Sequence, residues 1–417
     1  MIRSWAGHLC RDILPWWEIN AVDDVGGGVL TGFDNRGQLH TTDRFTWSEG
    51  RWAWVCAELA DDASSGRLPL DADLWRQRCL QTCERIVRLS LRADGRTHFR
   101  LTEAGEPVSD ASGETATSVF ADLFAVLGLA AGIRTLAPED PRQSEWQQAC
   151  GKVLATAYAA VRNRTALSEP YPVPEGFSDL AGPMNLLHTA AEMLRIPLGE
   201  SVAMQARAVR DWAAARIHDT HLTSDGWREF APRAACDEDT LLARHRTPGH
   251  LLELLWMAKH AQQSDPTLVV IPEDRMVPLA EQAIRMSWDQ RHGGLLRYTD
   301  ERQGTAPQGR AMNSRYEELV RQTWDTKLWW VHSEAIYALN LLAPQDPGGG
   351  LAPWASMVSD WTMDTFPNGA GQEWTQIRTR DGRPFDEVVA LPVKDPFHII
   401  RALVLTNRLS EPTEEST

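Results

Sequence analysis

Apolar residues recur at helical spacing along almost all of this 417-residue chain, while strand signals are few and short. The spacing predicts helices over Arg51–Asp61, Asp73–Leu91, Thr115–Ala131, Gln143–Arg162, Leu180–Leu194, Val202–Ile217, Gly249–Gln263, Pro278–Trp288, Trp324–Leu342, Leu351–Met363 and Pro396–Leu409. A further one is expected near Trp5–Glu18. Pro/Gly/Asp-rich connections separate them at steady intervals. Ser64-Ser65-Gly66 and Gly348-Gly349-Gly350 are too short to tether domains and read as turns. Residues 1–409 are therefore expected to form one domain, with 410–417 a fraying acidic tail.

A repeat runs through the connections. Asp23 leads Gly27-Gly28, then Asp34 and Gly37; Asp289 leads Gly293-Gly294, then Asp300 and Gly304. A looser copy runs from Gly371-Gln372-Glu373-Trp374 to Asp381-Gly382. Each follows a predicted helix, as a glycine-broken short hairpin would. About a dozen helices with hairpins recurring on one side give an all-α toroid, an (α/α)6 barrel. An irregular helical protein with chance Gly-Gly pairs is the competing reading.

Composition narrows the function. A net charge of −15 leaves no basic excess to offset phosphates, which argues against a general nucleic-acid binder, although a local basic pocket stays open. No apolar stretch is long enough to cross a bilayer, and the N-terminus lacks a signal-peptide apolar core, so a cytoplasmic setting is expected. The six cysteines then read as reduced thiols. Cys79 and Cys83 share a helix face, but no second ligand pair follows at zinc-site spacing, so no metal is expected there. Tryptophan is abundant, 18 against 5 tyrosines and 10 phenylalanines. Its wide apolar face suits the C–H surface of a sugar ring, and it also fills gaps between long helices.

Four segments carry the chemistry. In Trp47-Ser48-Glu49-Gly50-Arg51-Trp52-Ala53-Trp54, an arginine fork can hold hydroxyls beside covering Trp faces, unless Arg51 is paired with Glu49 or Glu58. Thr247-Pro248-Gly249-His250 and Asp395-Pro396-Phe397-His398 echo each other as helix starts, with a cap residue, a proline and a first-turn histidine. The helix dipole biases both rings toward the neutral form. Glu253, one turn on, is expected to orient His250 and raise its basicity, while Lys394 and Arg401 are expected to lower that of His398. In Lys327-Leu328-Trp329-Trp330-Val331-His332-Ser333-Glu334, both His332 and Glu334 can face one opening, and Glu334 equally suits helix-dipole compensation.

In combination, P-G-H-x-x-E over Thr247–Trp256, K-L-W-W-x-H-x-E-A over Lys327–Leu339 and K-x-P-F-H-x-x-R within Glu373–Leu405 resemble the N-acylglucosamine 2-epimerase superfamily. Trp47–Trp54 and Trp288–Asp300 fall in the expected order. The resemblance implies an (α/α)6 barrel with a central sugar pocket and no redox cofactor or metal. It implies reversible C2 epimerisation of a reducing sugar, an N-acylhexosamine or another hexose or hexoside, by ring opening and a cis-enediol(ate). The family's essential arginine falls on Arg51, its two catalytic histidines on His250 and His398, and its glutamates on Glu253 and Glu334. Trp47, Trp54, Asn185, His188, Trp256, Trp329, His332, Trp374, Lys394 and Arg401 are the candidate substrate contacts. A homodimer and a nucleotide modulator are further family expectations.

Two departures stand out. Some subfamilies carry another histidine on an earlier helix, where this chain has Thr189 with His188 one residue off. An aromatic common before the lysine of the last motif is Val393 here. The alternatives are a mannose-type aldose–ketose isomerase on the same scaffold, a glycoside hydrolase, for which paired carboxylates would be needed, and a non-catalytic sugar-binding protein.

Overall fold

The computed structural model describes residues 4–109, 115–168, 171–302, 306–387 and 393–410. Six helices close a ring, each packed on the next: Thr46–Ser64, Val119–Thr135, Ala181–Met193, Pro248–Ser264, Trp329–Leu342 and Phe397–Leu409, which returns to Thr46–Ser64. Outside them lie Trp5–His8 with Leu14–Asn20, Ala72–Arg85, Arg142–Asn163, Glu200–Arg216, Glu273–Ser287 and Leu351–Thr365. This is the expected (α/α)6 barrel.

Sequence explains which helix goes where. Val119–Thr135 is apolar on every side and almost wholly buried, as an inner helix must be. Glu273–Ser287 buries only a stripe through Met276, Leu279, Ala280, Ala283 and Ile284, and its charges face outward. Gly50 and Gly128 bring the first two inner helices backbone to backbone. A Cβ on Gly50 would lie 2.0 Å from the Phe124 carbonyl oxygen.

The predicted repeat is a real turn. Asp23 N–H donates to Gly28 O at 3.1 Å, and Asp289 N–H donates to Gly294 O at 2.9 Å. Gly27, Gly28, Gly293 and Gly294 all have positive φ, which only glycine adopts freely. Each leading aspartate then pairs with the basic residue of a strand that opens an inner helix: Asp23 with Arg44 at 2.5 Å, Asp289 with Lys327 at 3.6 Å.

Four antiparallel pairs stand immediately before inner helices: Arg44–Phe45 with Arg100–Leu101, Phe177–Asp179 with Phe230–Pro232, His245–Arg246 with Thr299–Asp300, and Lys327–Leu328 with Ile377–Arg378. The last pair corrects the predicted helix Trp324–Leu342. Lys327 and Leu328 give their backbone to Ile377 and Arg378, so the helix begins at Trp329. Glu273–Ser287 starts earlier than expected and carries Pro278 in its interior rather than at its start. The short helices Leu241–Arg244 and Arg315–Thr323 were not predicted. Residues 411–417 of the expected tail lie outside the described residues. No described helix is long and apolar enough to cross a membrane.

Candidate functional site

A cavity of about 260 Å³ opens where the inner helices begin, and each of the six contributes residues from its start. Their amide dipoles point positive ends at one space, which favours negative charge there. Of the predicted residues, Trp47, Arg51, Asn185, His250, Glu253, Trp329 and His398 line it.

Arg51 is not consumed by the glutamates near it in sequence. Glu49 faces Arg44 and Arg85, and Glu58 pairs with Arg134 and Arg408. The guanidinium lies 4.0 Å from the ring centre of Phe124, 4.9 Å from that of Trp47 and 5.1 Å from that of Phe397. Its nearest carboxylate is Asp395, at 3.8 Å. Its buried Nε has no hydrogen-bond partner.

His250 differs from expectation. Its Nδ1 lies 2.8 Å from Glu229 Oε1, a residue of the Gly226–Pro232 segment that no motif picked out. Glu253 points elsewhere, accepting from Arg401 Nη2 at 2.8 Å. Burial disfavours charge on His250, but the Glu229 carboxylate and its hydrogen bond outweigh it and lift the ring above its ordinary pKa. The helix dipole therefore does not decide the state of this ring.

His398 sits in a denser network. Glu334 Oε1 approaches its Nδ1 at 2.8 Å and accepts from Arg401 at 2.5 Å, while Glu334 Oε2 accepts from Trp256 Nε1 at 2.7 Å. Asp395 Oδ2 lies 3.5 Å from His398 Nε2. Burial, then the Arg401 and Arg51 charges, outweigh Asp395 and push the ring down to about 3. Lys394, predicted to act here, instead donates to the Trp374 carbonyl at 2.7 Å. Glu253, Glu334 and His398 converge as metal ligands could, but the Arg401 guanidinium bonds both glutamates and stands 3.2 Å from the histidine Nδ1. A fixed cation already balances those carboxylates.

Several candidate contacts lie away from the cavity. Trp256 and Arg401 sit behind it, the guanidinium 4.7 Å from the indole ring centre, and fix Glu334. Trp54 and His188 belong to a separate cavity with Glu192, toward the opposite ends of the inner helices. His332 is structural: Nδ1 donates to Leu328 O at 2.8 Å and Nε2 accepts from Leu295 N–H at 2.9 Å. Trp374 is buried, with its indole N–H on His8 Nε2 at 2.9 Å. These side chains were placed by motif proximity, and adjacent helix positions face different layers.

Sequence reasoning missed three participants. Glu229 holds His250. Trp330 contacts both histidines, its ring centre 5.2 Å from that of His250 and 6.0 Å from that of His398. Asp395 was read as a cap and does cap, accepting Phe397 N–H at 3.0 Å, but its Oδ2 is buried with no hydrogen-bond partner on the cavity wall.

The family model for N-acylglucosamine 2-epimerase (GlcNAc 2-epimerase) matches residues 203–402, which include both histidines. The N-acylglucosamine 2-epimerase of Bos taurus is 24% identical over 420 residues, covering 98% of this chain and 92% of that protein. A sugar epimerase from a ruminal bacterium shares the fold with a TM-score of 0.74 at 15% identity, over 98% of both chains. Cellobiose 2-epimerase from Bacillus thermoamylovorans B4167 does so with 0.70 at 14% identity, over 97% of this chain and 98% of that one. The chain is an (α/α)6-barrel enzyme of the isomerase class. Over residues 203–402 it is similar to the N-acylglucosamine 2-epimerase family, and over nearly its whole length to the N-acylglucosamine 2-epimerases named above.

Proposed function

We propose that this protein epimerises a reducing sugar at C2, an N-acylhexosamine or related hexose, through a two-histidine proton shuttle. The observation that carries the reading is the opposite bias of two histidines on one cavity, one held toward the cation by Glu229, the other held neutral by burial and arginines.

Ring opening exposes an aldehyde that acidifies the C2 proton. Neutral His398 removes that proton, giving a cis-enediol(ate), and Glu334 and Arg401 fix its ring. Charge developing on O1 or O2 is met by Arg51 and by the helix N-termini. His250, as imidazolium, returns a proton to the other face of C2, and Glu229 stabilises its charge. In reverse the roles exchange. Asp395 Oδ2, which has ion-pair neighbours but no hydrogen-bond partner, accepts a hydrogen bond from a hydroxyl of the substrate. Trp47 and Trp329 supply apolar faces for the sugar.

The test is an NMR screen of aldoses and N-acylhexosamines in D2O. Deuterium entering C2 with formation of the C2 epimer supports the reading. A ketose product would assign the aldose–ketose isomerase reaction instead, and no exchange with any sugar would overturn both. A homodimer, a nucleotide response and a cytoplasmic setting accompany the family reading, and sedimentation, with and without nucleotide, tests the first two.

A further inference from the structure

A second cavity, about 670 Å³, adjoins the first, and Phe120, Ser168, Val173 and Asp179 line both. Arg162, Arg164, Arg216 and Arg233 also line it. Among the described residues, its acidic side chains are Glu175 and Asp179, and Asp179 Oδ2 already accepts Gly182 N–H at 2.8 Å. Four arginines thus line one cleft in a chain with 57 acidic and 42 basic residues, Arg162, Arg164 and Arg233 exposed and Arg216 partly buried. Arg78, Arg134 and Arg408 sit on carboxylates, whereas Arg275 and Arg378 are held by backbone carbonyls. Here Arg216 instead donates to Ser178 Oγ at 2.8 Å and Arg162 to Tyr158 Oη at 3.3 Å. No carboxylate of the described residues lies in ion-pair range of the four.

Helix-dipole compensation explains why Arg162 and Arg216 stand in the last turns of their helices. It does not explain why they line one cleft together with Arg164 and Arg233. Burial and the nearby Arg164 work against the Arg216 charge and Asp179 favours it, and an anion in the cleft would favour it further. Ser178, which holds Arg216, lies in the strand paired with Phe230–Pro232, next to Glu229, so the cleft is tied to the His250 end of the first cavity.

We infer that this cleft holds an anionic group (carboxylate, phosphate or sulfonate) carried by the sugar substrate. The inference rests on the C2-epimerase reading and names its substrate class. Arginine forks bind such groups bidentately.

The experiment measures C2 exchange for N-acetylglucosamine against its 6-phosphate, and for cellobiose against the disaccharide oxidised to a carboxylate at the non-reducing C6. At least one anionic member should exceed its neutral counterpart in kcat/KM by about ten-fold or more. Arg216→Ala and Arg164→Ala should remove that advantage through KM and leave kcat on the neutral sugar unchanged, with Arg216→Lys recovering part of it. Inorganic phosphate should compete with the anionic member. Neutral sugars turned over as well as anionic ones would overturn the inference and leave the epimerase reading standing. So would phosphate binding without substrate discrimination, which would assign the cleft to a free anion. No C2 exchange with any sugar would remove the reading beneath it.

Discussion

His250 faces carboxylates: Glu229 in contact, with Glu253 and Asp179 at longer range. His398 has Glu334 and Asp395 beside it, but also Arg401 and Arg51, and it is more deeply buried. Both open inner helices that flank the Trp329–Leu342 helix, whose Trp330 lies against both rings. Equivalent positions in the barrel thus hold imidazoles of opposite bias. The lesson is that a helix start supplies position, while charge state comes from the carboxylates and arginines that neighbouring elements bring.

The largest test of this comparison is to remove each ring. His398→Asn and His250→Asn should each lower C2 exchange by about 10²–10⁴-fold with folding intact by circular dichroism. Exchange that survives loss of either ring would break the two-histidine scheme. Next comes Glu229→Gln, which takes the charge partner from His250 alone. A loss of about 10–100-fold is expected, and the alkaline limb of the pH–rate profile should move down by about one unit, because that limb reports the imidazolium. An unmoved limb would mean that Glu229 does not set the charge of His250.

Stability against pH separates the two rings without substrate. The folded pKa of His398 is depressed to about 3, so its contribution is present above the unfolded value near 6.5 and is lost as pH falls toward 3. That of His250 is raised, so its contribution is present below about 6.5 and lost as pH rises through the folded pKa. In urea denaturation, His398→Asn should flatten the acid side and His250→Asn the alkaline side, each by up to about 1.4 kcal/mol per pH unit. The same flattening in both variants would contradict the difference. The smallest effect is expected for Trp330→Leu. Loss of the aromatic face beside the imidazolium should cost about two- to five-fold in kcat, with His398-linked stability unchanged.

Much of this was legible in the chain. Helical periodicity, the Asp–Gly-Gly turns and the two histidine-bearing helix starts are local signals, because each depends on residues within a turn or two of one another. They pointed to the barrel class, while the family resemblance implied a common pocket for Arg51, His250 and His398, which the structure places on one cavity. Helical spacing also offered Glu253 as the partner of His250; Glu253 does raise the ring's basicity from a distance, but Glu229 holds it. An i, i+3 relation shows that two side chains can meet, but Glu253 found a stronger partner in Arg401, 148 residues away. Glu229 reaches His250 across 21 residues and Glu334 reaches His398 across 64. Those distances close only when six inner helices form a ring, a collective result of burying apolar helices against one another. The sequence by itself determined which segments are helical and that His250 and His398 stand in first turns. Only the tertiary structure decided which carboxylate or arginine stands beside each histidine, and so toward which charge state each ring is biased, because electrostatic coupling depends on separation in space rather than along the chain.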